Sequence, residues 1–463
     1  MLAVVPLVLM NRSKHTGRTC ALLTRAGLVV GFLPTTIPAA ITLVALPLSD
    51  GSVQAAPAQD YSVTVTQLTP PGASFASVVA LTPLFEAGRA VFGGYGSEGV
   101  QPGFWRGTPS SWVNCKPQGF GDVNVLGAAG QQMVGAAYFN GPGPFSLQAI
   151  LWQISDQGAT WASLNPPGVN RAVAMATDGL TQVGWALIGN HQRPVMWTGS
   201  AQTMLELTPD AVCDNDNCGQ LNCVRGGQQG GFIYGPNPYD LNSYEQAAVW
   251  SGTAASVVNL HPADAYRSVV FGTTGLIQGG YAQYPIADSN WTTLRATIWR
   301  GTAASITDLH PLDGEFSFSL VRCVDGDYQA GTFGSDVRLY DRRACLWKSG
   351  KAHFFDLHPC GYFGSEVRSI VVLPSGVIRA VGAGWTSVTT QEIPLLWEIT
   401  EGPRSCCGDI GPVDGTIDGG DLGTLLANWG EASPQTVSDI NHDGIVNGAD
   451  LGYLLNAWGP CTN

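Results

Sequence analysis

A tryptophan returns seven times along this 463-residue chain at a nearly constant spacing, and this period constrains the fold more than any other feature. The intervals between successive members are 47, 45, 53, 49, 48 and 50 residues. A fixed period of this length indicates one structural unit written repeatedly. The seven residues are Trp105, Trp152, Trp197, Trp250, Trp299, Trp347 and Trp397.

A short motif, Leu-x-Pro, follows most of these tryptophans after about ten residues, and a glycine after apolar residues or Gln precedes the next tryptophan. Its copies begin at Leu164, Leu207, Leu260, Leu309 and Leu357, with Cys115-Lys116-Pro117 as a degenerate copy. Each unit holds four short strand-like runs, for example YRSVVFG, GLIQGGYA, LRATIWR and ASITDL. Four strands per unit of 40–50 residues are typical of a β-propeller blade. The 59 glycines, 29 prolines and a charged fraction of only 12% agree with an all-β chain.

The two ends of the repeat region complement each other. The last unit stops at Trp397-Glu398-Ile399 without a fourth strand, whereas residues 61–70, YSVTVTQLTP, read as a fourth strand followed by Leu-x-Pro. We therefore expect an all-β, seven-bladed propeller over residues 56–402 that is closed by the N-terminal strand.

Residues 1–55 read as a signal peptide: four basic residues, an apolar stretch over residues 26–48, and small residues before Ala56. Translation starts at Met1 or Met10. The alternative, a membrane anchor, is disfavoured by three prolines in the apolar stretch, and no later segment is apolar enough to span a membrane. The expected location is secreted or at the cell surface.

The charge and cysteine content of the chain limit the classes of ligand that it is expected to bind. The formal net charge of −13 disfavours nucleic acid. Ten cysteines remain after removal of the signal peptide, and in an exported protein their even number favours disulfides. Cys213, Cys218 and Cys223 lack the paired spacing of a zinc site, so we expect a disulfide-pinned loop there.

The sequence gives little evidence for catalytic residues in the propeller. His261, His310 and His358 occupy the middle of Leu-x-Pro, where two interpretations compete: a shared metal site and an exposed turn position.

The periodic units resemble HAF-type secreted repeats and, less closely, Kelch repeats. The segment ISDQGATW is similar to the Asp-box of sialidase-like propellers, whose chemistry would need clustered arginines. Candidates are Arg267, Arg295, Arg322 and Arg343, and the sequence does not tie them together.

Five tryptophans lie outside the period and are candidates for stacking on sugars or for ordinary packing. Trp291, in a polar segment, is the best candidate for exposure. The five are Trp112, Trp161, Trp185, Trp291 and Trp385.

Residues 403–463 contain two related segments that end in DLGTLLANWG and DLGYLLNAWG. They strongly resemble a type I dockerin, which implies two calcium loops, each leading into a helix, and a cohesin-type partner. In the second loop oxygen ligands at positions 1, 3, 5, 7, 9 and 12 suit Ca²⁺. These positions hold Asp439, Asn441, Asp443, Ile445, Asn447 and Asp450.

The first loop departs from this spacing. Its candidate ligands are Asp409, Asp414, Asp418 and Asp421, and Asp409 reaches position 1 only if the loop has one extra residue. Leu422, Leu425, Leu426 and Trp429, like Leu451, Leu454, Leu455 and Trp458, predict one apolar face on each helix. A disulfide from Cys406 or Cys407 to Cys461 would join the ends of this small module.

These observations favour an exported, non-catalytic binding or scaffold protein. Its propeller would bind a carbohydrate, such as a polysaccharide, or a protein, and its calcium-dependent module would dock to a cohesin-like protein or a cell-surface component. The alternative is a propeller glycoside hydrolase or lyase in a polysaccharide-degrading assembly, which requires carboxylates clustered with Arg or Tyr on one propeller face.

Overall fold

The computed structural model describes residues 61–93, 99–139, 146–209, 217–236, 243–286, 291–311, 317–335, 341–348, 350, 353–387, 391–402, 406, 408–411, 414–430, 437–441 and 445–461. The predicted signal peptide, residues 1–55, lies outside them. In these parts of the chain, no helix has the length and apolar character needed to cross a membrane.

Seven antiparallel four-stranded sheets account for most of the described chain. The first strands are β1 (Tyr61–Gln67), β2 (Ala73–Leu81), β3 (Glu86–Phe92), β4 (Val100–Trp105), β5 (Val113–Asn114), β6 (Phe120–Ala129), β7 (Gln132–Phe139), β8 (Ser146–Ser155) and β9 (Gly158–Ser163). They are followed by β10 (Ala172–Thr177), β11 (Gln182–Ile188), β12 (His191–Trp197), β13 (Leu205–Glu206), β14 (Gly219–Arg225), β15 (Gln228–Pro236), β16 (Ser243–Trp250), β17 (Val258–Asn259), β18 (Arg267–Thr273) and β19 (Gln278–Pro285). The remaining strands of these sheets are β20 (Thr292–Trp299), β21 (Thr307–Asp308), β22 (Phe318–Asp325), β23 (Tyr328–Gly334), β24 (Arg343–Lys348), β25 (Phe354–Asp356), β26 (Gly364–Val372), β27 (Ile378–Trp385) and β28 (Ile393–Glu401).

The sheets are arranged in a ring. Blades 1 to 6 each use four consecutive strands, from β2–β5 to β22–β25. The inner strands β2, β6, β10, β14, β18, β22 and β26 contact one another in that order, and β26 contacts β2. The chain is therefore a seven-bladed β-propeller. Blade 7 contains β26, β27 and β28, and its outer strand is β1, which pairs antiparallel with β28 from Tyr61–Glu401 to Gln67–Leu395.

Hydrophobic side chains form seven clusters, one at each interface between neighbouring blades. Each cluster contains one of the seven periodic tryptophans, and all seven are fully buried. Burying an indole removes about 200 Å² from water, which is worth at most about 5 kcal/mol. The regular spacing of the tryptophans along the chain therefore reflects one buried tryptophan at each interface between blades.

The Leu-x-Pro motif links these interfaces through its backbone. In all seven blades the N–H of its first residue donates to a carbonyl of the third strand of the same blade, at 2.7–2.9 Å. In four cases the carbonyl of that residue accepts the indole N–H of the next blade's tryptophan, at 2.9–3.0 Å. These four pairs are Cys115–Trp152, Leu207–Trp250, Leu309–Trp347 and Leu357–Trp397.

A glycine in the second strand of every blade is a steric requirement. A Cβ at any of these positions would lie only 1.8–2.1 Å from a carbonyl oxygen of the first strand. In blade 1 this residue is Gly88, the first glycine of GRAVFGGY, whereas the sequence pattern pointed to the two glycines that follow Phe92. The seven are Gly88, Gly135, Gly184, Gly231, Gly280, Gly331 and Gly382.

The C-terminal module has two short helices, α1 (Gly419–Ala427) and α2 (Gly448–Asn456). Two short strands, β29 (Thr416–Ile417) and β30 (Gly459–Pro460), pair antiparallel. Its small core comprises Ile417, Leu425, Ile440, Val446 and Leu454, with Cys360 of the propeller packed against it.

The two classes of tryptophan predict different costs for one substitution. Trp250→Phe removes an indole donor bonded to Leu207, whereas the Trp299 indole N–H has no hydrogen-bond partner. Both lose similar packing, so we expect Trp250→Phe to lower the free energy of unfolding by about 1 kcal/mol more than Trp299→Phe. Urea unfolding of the two variants measures this difference. Equal losses would show that the inter-blade hydrogen bond contributes nothing.

Candidate functional site

A cavity of about 520 Å³ lies on the propeller axis, lined by all seven inner strands. Each of these strands carries a β-bulge at the same level, where one extra residue interrupts the pairing with the second strand. All seven bulged residues line the cavity, so each blade contributes one side chain to its wall. They are Val79, Leu126, Met175, Asn222, Phe271, Arg322 and Arg368.

Arg368 ties blade 7 to blade 1. Its guanidinium bonds Glu392 through two nitrogens at 2.7 and 3.1 Å, and Nε lies 2.7 Å from Glu366. It also donates to Ser77 Oγ at 3.0 Å and to the Val78 carbonyl at 3.3 Å. These bonds engage every guanidinium nitrogen of Arg368, so the residue has a positioning role.

Glu366 lies between two arginines, with Arg342 Nη1 at 3.1 Å on its other oxygen. Burial alone would raise its pKa, but Arg368 first, and then Arg322 and Arg342, lower it overall. A general acid needs a raised pKa. The carboxylate therefore suits ion pairing better than the acid role that a glycoside hydrolase requires.

Arg322 differs from its neighbours in having no carboxylate within ion-pair distance and no hydrogen bond among the described residues. Its guanidinium lies 4.8 Å from the centre of the Phe271 ring. Burial lowers its pKa; Arg368 and Arg342 act in the same direction, and Glu366 opposes them.

The structure separates the four arginines suggested by the sequence. Arg267 pairs with Glu245 at 3.3 Å, while Arg295 and Arg343 pair with aspartates of outer strands. Only Arg322 faces the axial cavity. Sequence reasoning missed Arg368, because a bulge in β26 reverses the inward and outward alternation that a strand pattern uses. It also missed Arg342, which precedes β24 and belongs to no strand pattern.

The histidines of Leu-His-Pro belong to blade–blade connections. In each, Nδ1 lies 2.7–2.8 Å from a serine Oγ on the next blade's inner strand. That Oγ also accepts an alanine N–H of the preceding blade at 2.9 Å. The expected exposed position is wrong for His310, which is buried. In the described part of the chain, no three His, Cys, Asp or Glu side chains form a group that could hold a metal.

The serines of the Gly-Thr-Ala-Ala-Ser turns have a local structural role. Ser256 and Ser305 end short 3₁₀ turns, and their hydroxyls donate to Thr253 and Thr302 carbonyls at 2.6 Å.

The cysteines only partly follow the disulfide expectation. Cys115, Cys223, Cys323 and Cys345 are free thiols, and burial raises the pKa of Cys115 and Cys223 to about 12. The Cys213–Cys223 loop is therefore not joined through Cys223. Cys218 and Cys360 are disulfide-bonded, with partners outside the described residues.

Two of the five non-periodic tryptophans of the propeller are exposed. Trp291, just before β20, is 50% exposed, and Trp161, on β9, is 43% exposed. The others are partly buried; Trp112 packs on Trp105 at 4.4 Å, and Trp385 lies 5.0 Å from the Arg342 guanidinium. The Asp-box-like segment forms the hairpin between β8 and β9.

The two C-terminal loops match each other in their hydrogen bonds. Asp421 accepts the N–H groups of Gly411 and Asp418 at 2.7 and 2.8 Å. Asp450 likewise accepts those of Asn441 and Asn447 at 3.1 and 2.8 Å.

This correspondence places Asp409 where Asp439 lies in the second loop, so the first loop contains one extra residue. Asp409 accepts the Gly415 N–H at 3.0 Å, and burial raises its pKa. Gly411 stands where the second loop has Asn441, which leaves the first loop one side-chain oxygen short. Asp414 and Asp418 are exposed.

The four carboxylates at the loop ends, Asp409, Asp421, Asp439 and Asp450, are buried. Asp409, Asp421 and Asp450 have no Lys or Arg within ion-pair distance in the described residues, and residues 403–463 contain eight Asp or Glu and one arginine, Arg404. Buried carboxylates without a cation are costly. The donor set therefore fits a divalent cation. Asp443 lies outside the described residues, while Ile445 and Asn447 are described.

The predicted helix faces are only half buried. Leu425 and Leu454 are fully buried, and Leu422 and Leu451 pack against the core. The other four residues are about half exposed, because each helix contacts the core through a single turn; they are Leu426, Trp429, Leu455 and Trp458. The ends of the module are joined by the Cys406–Cys461 disulfide.

No family model matches the chain. None of the curated proteins matches it significantly either. Among solved structures it is similar to the β-propeller domain of the Trilobed protease from Pyrococcus furiosus, with 7% identity and a TM-score of 0.47, covering 71% of this chain and 96% of that one.

Pyrococcus horikoshii acylaminoacyl peptidase gives 8% identity and a TM-score of 0.44, covering 71% of this chain and 52% of that one. TolB from Acinetobacter baumannii gives 12% and 0.35, covering 62% and 64%. This chain thus spans about half and just under two thirds of those two structures.

The hydrogen bonds of the His358 ring predict that the stability of the fold depends on pH. Its Nε2 lies 2.9 Å from the Tyr362 carbonyl and must donate, so Nδ1 of the neutral ring accepts from Ser365. Burial and then Arg343 lower its pKa, so the unfolded chain binds the proton more readily. Stability is therefore full above about pH 6.5 and falls as the pH drops from there toward the lowered pKa.

We expect His358→Asn to flatten this loss between about pH 7 and about pH 5 in urea unfolding. Asparagine is chosen because Asn165 makes the equivalent bond to the Ala149 N–H at 2.9 Å in blade 2. The exposed His353→Asn is the control and should keep the wild-type pH dependence. An unchanged slope in His358→Asn would contradict the role of this histidine.

Proposed function

We propose that this chain is an exported binding and scaffold protein in which a propeller takes a carbohydrate or protein ligand and a calcium-dependent module docks it to a partner. The observation that carries the proposal is the set of four buried carboxylates in two matched loops, Asp409, Asp421, Asp439 and Asp450. The partner is a cohesin-like protein or a cell-surface component, as the resemblance of residues 403–463 to dockerins implies.

Ca²⁺ suits these loops because it takes six to eight oxygen ligands and tolerates irregular geometry. In the second loop the ligands would be Asp439, Asn441, Asp443, Asn447 and Asp450, with the Ile445 carbonyl at position 7. In the first they would be Asp409, Asp414, Asp418 and Asp421, with fewer side-chain oxygens. Bound calcium would neutralise the buried charge and fix the start of each helix.

The docking surface would be the half-exposed apolar pairs on the two helices. Leu426 and Leu455 correspond in the duplicated segments, as do Trp429 and Trp458. The small residues Gly419, Gly420, Gly448 and Ala449, at the helix starts, are exposed beside them. Exposed apolar groups in a repeated pattern are typical of protein interaction sites.

The propeller would act as a rigid platform, and we propose that the pairing of β1 with β28 keeps its ring closed. Closure by an N-terminal strand would leave β28, the third strand of blade 7, without an unpaired outer edge. Ligand binding would use the face that carries the loops between second and third strands, where Trp291 is exposed.

Calcium should raise the melting temperature of the full chain, and chelation should reverse the shift. We expect Asp450→Asn to weaken calcium binding about ten- to hundredfold in calorimetry, because it removes a buried ligand. Asp421→Asn should have a smaller effect, since its loop has fewer ligands. Exposed Asp122→Asn is the charge-matched control. Stability indifferent to chelator would contradict the proposal, as would cohesin binding that persists without calcium.

Glycan and protein arrays probed with the full chain test the propeller. We expect Trp291→Ala to weaken binding of a captured ligand about tenfold, through loss of aromatic stacking. Trp161→Ala is the matched control, because that ring is similarly exposed but lies on the outer strand β9. Hydrolysis of a polysaccharide without retention of it would instead indicate an enzyme.

A further inference from the structure

Among the described residues, Arg322 in the axial cavity has no counter-ion within ion-pair distance. Arg225 pairs with Asp325 at 2.6 Å, and Arg368 bonds Glu366 and Glu392. Arg322, on the same cavity wall, has neither a carboxylate nor a hydrogen-bond acceptor among the described residues. The central carbon of its guanidinium lies 4.8 Å from the centre of the Phe271 ring.

The lining of the cavity also contains Asp178 and Asp325, so its charged groups are of both signs. Arg322 is distinguished by its lack of an ion-pair or hydrogen-bond partner among the described residues. The chain as a whole carries −13. Leaving a buried charge without a partner is strongly destabilising, so a fold retains one chiefly where a ligand neutralises it.

The guanidinium nitrogens of Arg322 are not sealed in the protein. These nitrogens make no hydrogen bond to the described residues, and none of them is fully buried. Since Arg322 lines the cavity, we infer that they face its open space. The guanidinium lies over the Phe271 ring, an arrangement that favours a cation.

The cavity wall combines polar side chains with an apolar portion. Four of the seven bulged residues are Val79, Leu126, Met175 and Phe271, and small Ala and Gly residues complete much of the lining. A volume of about 520 Å³ accommodates a molecule of small-metabolite size.

One guanidinium with no second free cation matches a singly charged, planar anion. A carboxylate accepts two parallel N–H bonds from arginine, whereas a phosphate dianion would leave one charge unmatched. We propose that the axial cavity binds a small organic monocarboxylate, with the carboxylate on Arg322 and an apolar body against Leu126, Met175 and Phe271. This deepens the proposed binding role of the propeller and does not depend on the calcium module.

Calorimetry of the full chain with octanoate, and with octanamide as the neutral analogue, tests the inference. We expect octanoate to bind and octanamide to bind at least tenfold more weakly. Arg322→Gln should weaken octanoate binding at least tenfold. The same variant should unfold at an equal or higher temperature without ligand, because it removes an unpaired buried charge.

Arg295→Gln is the control, since it removes the same charge from an exposed pair with Asp308 on an outer strand. It should leave octanoate binding unchanged. Galacturonate and inorganic phosphate serve as alternative probes, a sugar acid and a dianion.

Equal binding of octanoate and octanamide, an unaffected Arg322→Gln variant, or no octanoate binding would overturn the inference. Binding of galacturonate or phosphate in place of octanoate would overturn it as well. Glycan or protein binding that depends on Trp291, with no octanoate binding, would overturn this inference alone and leave the proposed function standing.

Discussion

Every blade in this ring relies on its neighbour to bury one tryptophan. A four-stranded sheet of this length has apolar side chains on both faces and cannot enclose them by itself. The first residue of Leu-x-Pro helps to hold these interfaces through both of its backbone groups. Its N–H donates a hydrogen bond within its own blade. In four blades its carbonyl accepts the indole N–H of the next blade's tryptophan. The seven cores therefore exist only as interfaces, and the ring is needed for each of them.

The same regularity explains how the propeller can carry a site. Because the inner strands bulge at one level in every blade, seven side chains reach the axis from an otherwise uniform scaffold. The bulged residues also contact neighbouring blades, as Arg368 does through Ser77 and Asn222 does through the Val270 carbonyl. Blades 6 and 7 place arginines there, and blades 1, 2, 3 and 5 place apolar residues. The asymmetry that a ligand could recognise is thus confined to one position per blade.

The C-terminal module uses a different physical solution. Its core has five buried apolar residues, too few to stabilise about 60 residues by hydrophobic burial alone. The Cys406–Cys461 bond spans 55 residues, which in the chain-entropy model contributes about 4 kcal/mol. Four buried carboxylates add a desolvation cost to folding. The calcium that we propose for this module would offset that cost.

The sequence by itself determined the seven blades, the recurring tryptophans, the outer position of residues 61–67 beside Trp397, and a disulfide from Cys406 or Cys407 to Cys461. These follow from a period or a local spacing, which a linear pattern records. Only the tertiary structure decided which side chains meet at the axis. Arg368 bonds Ser77, 291 positions away, and a bulge turns Arg322 inward against the usual alternation. It also decided which cysteines stay reduced and which half of each helix face remains exposed, because burial depends on what packs opposite a residue.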